Sequence, residues 1–158
     1  MSARLQLGFG YIEAVVSVAV IGTTVAMALH TFGSFARGAL FDRETAIATE
    51  LAAQLAAEIR PQAFEDPGST IVFGPETDET DGTRQDFDDV DDYNGWTATP
   101  PQRRDGTPMG EYPNFSQNVV VEFDGSTDLK KITVTIAKDG KARAELHLLR
   151  ARHDADAR

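Results

Sequence analysis

The chain has no cysteine, which excludes disulfides, thiolate metal sites and a thiol nucleophile. It also lacks a GxxxxGK[ST] phosphate loop, an HExxH zinc motif and a GxSxG elbow. No nucleophile or acid–base constellation stands out, and no enzymatic activity is expected. Basic residues are few: 15 Lys and Arg against 25 Asp and Glu give a net charge of −10 over 158 residues. A nucleic-acid binder needs a basic face to meet phosphates, so direct nucleic-acid binding is not expected. The length suits one domain, at most with an appendage. Charge is unevenly spread. Residues 14–36 contain no Asp, Glu, Lys or Arg, whereas residues 76–92 hold nine acids and a single Arg.

The uncharged stretch is long enough to matter. A bilayer core of about 30 Å takes roughly 20 apolar residues in helical form. Residues 14–36 meet that length, with some Ser, Thr and His30 among the apolar side chains. Arg4 and the amino terminus lie ahead of them, so the bias of positive charge toward the cytoplasm keeps that end inside and exports the chain beyond residue 36. A cleaved secretory signal or a plain signal anchor would produce a similar profile. Neither gives a role to Glu13, because a carboxylate at membrane depth costs on the order of 3 kcal/mol unless it is paired.

Gly8-Phe9-Gly10-Tyr11-Ile12-Glu13 followed by the apolar run resembles the class III signal of type IV pilins and type II secretion pseudopilins. In that pattern a short basic leader ends in Gly, Phe follows, and Glu stands fifth after the cut. Gly10 replaces the commoner Thr or small polar residue, and Tyr11 replaces Leu; neither position carries chemistry. The resemblance covers the first quarter of the chain. It implies that prepilin peptidase cuts residues 1–8 away between Gly8 and Phe9 and methylates the Phe9 amine. It further implies a pilin-like α+β fold, assembly with other pilin or pseudopilin subunits, and engagement of an inner-membrane assembly platform and the lipid bilayer. Residues 9–36 become the membrane half of the first helix. A Gly at the cut suits close approach of a protease to the backbone.

Glu13 then acquires a partner. Cleavage leaves a cationic amine on Phe9, one helical turn away, and either this amine or that of a neighbouring subunit can offset desolvation of the carboxylate. Glu13 is therefore expected to set the axial register between subunits during assembly.

Past the membrane the apolar residues narrow to a stripe. Leu40, Ile47, Leu51, Leu55 and Ile59, widened by Ala48 and Ala52, recur at helical spacing over residues 37–60, and Pro61 ends the pattern. A helix over residues 9–60 would run roughly 78 Å at 1.5 Å per residue. Gly22, Gly33 and Gly38 mark either bends or sites of close helix packing.

Residues 61–116 read as a loop-rich acidic region, with residues 70–73 as its one short strand. Asp86, Asp88, Asp89, Asp91, Asp92 and Asn94 could gather oxygens around Ca²⁺, a hard cation that takes six to eight such ligands. They lack the EF-hand spacing, and an acid-rich loop is more simply a solvated one. Some pseudopilins hold Ca²⁺ in a head-domain loop, so the resemblance also admits a calcium site. Phe87, Val90, Tyr93 and Trp96 read as anchors pinning this loop to the core.

Residues 117–151 predict a small antiparallel sheet. Residues 118–123 are largely apolar, and Ile132, Val134 and Ile136 alternate with threonines. Asp139-Gly140 is a type I′ hairpin signal, after which Ala142, Ala144, Leu146 and Leu148 return on one face. That face should lie against the helical stripe, with His147 outward and residues 152–158 frayed. The chain thus reads as a structural filament subunit; the acidic loop and the absence of a disulfide point to a minor one. The alternative is a single-span, membrane-anchored exported binding module, with calcium as one ligand.

Overall fold

The structure, a computed structural model, describes residues 10–66, 73–76, 79, 82–125 and 128–152. Two compact units divide the chain, Met1–Asp42 and Arg43–Arg158. Helix α1 (Tyr11–Ile59) runs through the boundary without interruption. It opens with the Glu13 and Ala14 amides donating to the Gly10 carbonyl at 3.0 and 3.2 Å. It ends ahead of Pro61, where the Arg60 amide still donates to Ala56 and the Gln62 amide closes a tighter turn on Ile59. Gly22, Gly33 and Gly38 leave the helix unbroken, and a Cβ at any of them would meet no atom of the chain within 4 Å.

In the second unit, the helical stripe buries Ala48, Leu51, Ala52, Leu55, Ala56 and Ile59. Leu40, expected on that stripe, belongs to the first unit and is 61% exposed. The sheet is an antiparallel meander in the order β1-β2-β3-β4. Its strands are β1 (Thr97–Ala98), β2 (Phe115–Phe123), β3 (Leu129–Lys138) and β4 (Lys141–Ala151). Val119, Val121, Ile132, Val134 and Ile136 form the core together with the helical stripe. Period-two alternation explains this, since each strand turns every second side chain toward the helix. The fold is α+β: one long N-terminal helix packed on a four-stranded antiparallel sheet.

Asp139 and Gly140 have φ of +49° and +73°, as a type I′ turn demands, and Lys138 pairs with Lys141 across them. One expectation for β4 fails. A bulge shifts the register between Ile136 and Ala137, so Ile136 faces Ala144 while Ala137 faces Ala142. The extra residue breaks the alternation. Ala142 is left exposed, and only Ala144, Leu146 and Leu148 pack against the core.

The acidic region between helix and sheet is held by the predicted anchors. Phe87, Val90 and Tyr93 are at most 3% exposed, and Phe87 meets Tyr93 and Trp96 edge-on at centroid distances of 5.0 and 6.0 Å. Residues 70–72 of the short strand expected over 70–73 lie outside the described residues. Phe73 is described; it lies in a bend, its ring 5.5 Å from that of Phe123. Arg152, assigned by sequence to a frayed tail, is tethered: its guanidinium donates to both oxygens of Glu65 and, at 3.1 Å, to Asp128.

Candidate functional site

Two features of the chain carry chemistry, and each lies within one unit. In the first unit, the apolar length of α1 is exposed among the described residues. An 18-residue window of it is long and apolar enough to cross a membrane, and none of that window is buried. Tyr11, Ile12, Val18, Met27, Phe32 and Phe35 are each at least 70% exposed. Taking one such side chain out of water is worth about 1.5–3 kcal/mol, so a lipid or protein surround is strongly favoured. The hydroxyls within the run are satisfied locally. Ser17, Thr24, Thr31 and Ser34 each donate to the carbonyl four residues back, at 2.8–3.1 Å. Such back-bonding leaves no hydroxyl hydrogen in need of water. Glu13 is exposed in the first helical turn, where its charge complements the amide ends. Gly8 and Phe9, the expected cleavage and methylation positions, lie outside the described residues.

In the second unit, the acidic loop is arranged differently from the sequence expectation. The six residues proposed as calcium ligands are not brought together as one group, and four of them, Asp89, Asp91, Asp92 and Asn94, each spend one oxygen on a partner within the protein. Asp91 is ion-paired with Lys130, both being buried. Asp89 accepts the backbone amides of Asp91 and Asp92 at 2.7 and 3.2 Å through one oxygen. Asn94 accepts the Val121 amide at 3.0 Å and so ties the loop to β2. Asp86 and Asp88 are exposed. Of the six, only Asp92 joins a cluster that could hold a metal ion, and its companions are Glu76 and Glu79, with oxygens of all three within 4.8 Å of one another.

Three carboxylates this close repel one another unless a proton or a cation intervenes. Asp92 spends one oxygen on the amides of Asp88 and Asp89, at 3.1 and 3.0 Å. Glu79 accepts the Glu76 amide at 3.1 Å, and Glu76 keeps a buried oxygen with no partner among the described residues. Burial, reinforced by the charge of Asp92, pushes the Glu79 carboxyl up to about 8. Burial likewise raises Asp89 to about 8, with the charges of Asp91 and Asp92 adding to it, and raises Asp92.

Two buried cations pair with neighbouring acids, Asp91 and Glu58, and sequence reasoning missed both. Lys130 donates to Asp91 and to the Phe64 carbonyl, with the rings of Phe64, Phe73 and Phe123 at 4.5, 5.8 and 5.7 Å from its Nζ. Its signal was parity, since it stands in phase with Ile132, Val134 and Ile136, and a lysine pointing inward requires a buried acid. Arg84 grips Glu58 with two hydrogen bonds, at 2.9 and 3.2 Å, and stacks 4.8 Å from the Trp96 ring centroid. Its signal was isolation as the one cation among nine acids. Tyr93 donates to the same Glu58 at 3.2 Å, and burial raises its phenol. At the opposite end of the meander, Glu44 joins Lys138 and Arg143; the hydrogen bond from Lys138 holds its carboxyl below the usual range.

No family model, curated protein or solved structure matches the chain.

Proposed function

We propose that the chain is a structural subunit, of minor type, of a type IV pilus or type II secretion pseudopilus. Prepilin peptidase removes residues 1–8 and methylates Phe9, and the apolar half of α1 holds the subunit in the inner membrane and later in the filament. The observation that carries this reading is the helix itself. Its first half is apolar on all sides and uncovered, while its second half buries a narrow stripe against a β-meander. A helix apolar all round belongs in lipid or among other helices, and passage from one to the other is what such a subunit requires. Glu13 is the single acid of the apolar half and aligns neighbours through the Phe9 amine. The head domain faces the periplasm or exterior. Peptide sequencing and mass analysis of the mature chain test the reading. Processed material begins with N-methyl-Phe9 only when prepilin peptidase is present; recovery of the first eight residues on the mature chain defeats it.

A second reading, a membrane-anchored exported module that binds a divalent cation, is favoured by the convergence of Glu76, Glu79 and Asp92. Oxygen ligands of this kind suit Ca²⁺, with Glu76 and Glu79 closing on the ion from one segment and Asp92 from the other. The two readings are compatible within one head domain. An unprocessed chain whose melting temperature rises with calcium supports the module alone.

A further inference from the structure

β4 is the outermost strand of the sheet, and no strand among the described residues pairs with its second edge. An 11-residue edge offers a row of backbone donors and acceptors to another chain. The side chains behind that edge are also incompletely covered. On β3, Ile132, Val134 and Ile136 are at most 2% exposed, yet their register partners Leu148, Leu146 and Ala144 on β4 are only half-buried. At this border lies a cavity of about 230 Å³, lined by Ile59, Val90, Ile132, Leu148 and Leu149 with the arginines Arg60 and Arg150. It has room for one large apolar side chain.

The charge around the edge is predominantly positive. Residues 129–152 carry seven Lys and Arg against two acids in a chain of net charge −10. Lys130, Lys138, Arg143 and Arg152 are in ion pairs. Among the described residues no ion pair engages Lys141, Arg150 or the nearby Arg60. Two copies of this edge brought together would add their excess positive charge, which weighs against pairing of β4 with itself.

We infer that the open edge of β4 and the adjoining cavity form one docking site for an extended acidic segment of a partner protein. The segment adds to the sheet beside β4, seats a bulky apolar side chain among Ile59, Val90, Ile132 and Leu148, and carries carboxylates toward Arg60, Arg150 and Lys141. Main-chain bonds supply affinity in this mode, while the pocket and the charges supply selectivity. The site goes beyond the filament reading and stands without it.

The test uses the full chain in detergent micelles and a synthetic peptide of alternating glutamate and valine with one central phenylalanine. Binding of the peptide should slow amide exchange over residues 141–151. Methylating alternate backbone nitrogens of the peptide should abolish that protection. Arg60→Glu, at an exposed position, should weaken binding about tenfold or more, because it turns attraction at the rim into repulsion. The inference is overturned if β4 gains no protection, if a peptide with lysine in place of glutamate binds equally well, or if Arg60→Glu has no effect. It is also overturned if β4 becomes protected by raising protein concentration alone, which would make a second copy the occupant.

Discussion

Lys130 and Asp91, 39 residues apart in sequence, form an ion pair in which both side chains are at most 3% exposed. The pair fastens the acidic loop to the start of β3, and the bond from Lys130 to the Phe64 carbonyl adds the segment after the helix. Removing one partner leaves a buried charge uncompensated, which costs about 3–5 kcal/mol. Lys130→Ala and Asp91→Ala should each lower stability by that amount in urea unfolding, followed through Trp96, the single tryptophan of the chain. The double variant Lys130→Met/Asp91→Leu should recover most of the loss, because an apolar pair of similar volume avoids the desolvation penalty. Equal loss in single and double variants would place the energy in packing instead.

The carboxyls of the same loop predict an unusual pH profile. Glu79 and Asp89, raised to about 8, hold protons in the folded state that they release near pH 4 when unfolded. The folded state therefore binds more protons across that window, and stability falls as pH rises from about 4 to about 8. Glu44 and Asp105, whose values are lowered, act in the opposite sense and cost stability only as pH drops through the ordinary carboxylate range. Thermal melting should thus peak on the acid side of neutrality. Glu79→Gln and Asp89→Asn should flatten the decline toward pH 8. If Glu76, Glu79 and Asp92 hold a divalent cation, calcium should raise the melting temperature more at pH 8 than at pH 5, where Glu79 still holds its proton. A calcium effect that is the same at both pH values would count against this cluster.

The elements legible in the sequence are those whose order is local. Ile47 to Ile59 repeat at helical spacing and meet Pro61, and Ile132, Val134 and Ile136 alternate into a turn that needs two positive φ values. Both patterns survive in the structure because one buried face enforces them. β1 has only two residues and is a strand solely by virtue of its pairing with Asn118 and Gln117, so no local pattern announces it. Ala142 went astray for a related reason, since a bulge alters parity without altering composition. The acidic loop was legible as a loop, and its aromatic anchors were legible as anchors. Its convergence point was not, because Glu76 and Glu79 come from a segment more than a dozen residues ahead of Asp92, and the chain path alone unites them.

The β3–β4 turn offers a clean test of backbone strain. A Cβ on Gly140 would meet no atom within 4 Å, so replacement there is opposed by its φ of +73° and not by crowding. Gly140→Ala should cost about 1 kcal/mol or slightly more. Asp139→Gly should be nearly neutral, since glycine adopts +49° without a steric penalty although it loses more entropy on folding. Urea midpoints of the two variants distinguish strain from lost side-chain contacts.

Glu13 provides the decisive test of assembly. It is exposed in the first turn of α1, and within the apolar half of the helix it is the one group whose charge must be matched in lipid. Glu13→Val removes the desolvation cost and makes the segment a better membrane span, so insertion and removal of residues 1–8 should proceed as in the parent chain. In the filament proposed above, what it cannot do is pair with the Phe9 amine of a neighbour. Leaving that cation unmatched costs on the order of 3 kcal/mol, enough to cut filament incorporation by well over tenfold. Fractionation of sheared filaments, with processing followed in parallel by mass, separates the two steps. Processed Glu13→Val confined to the membrane fraction is the expected result; its recovery in filaments at parental levels would remove Glu13 from the assembly mechanism.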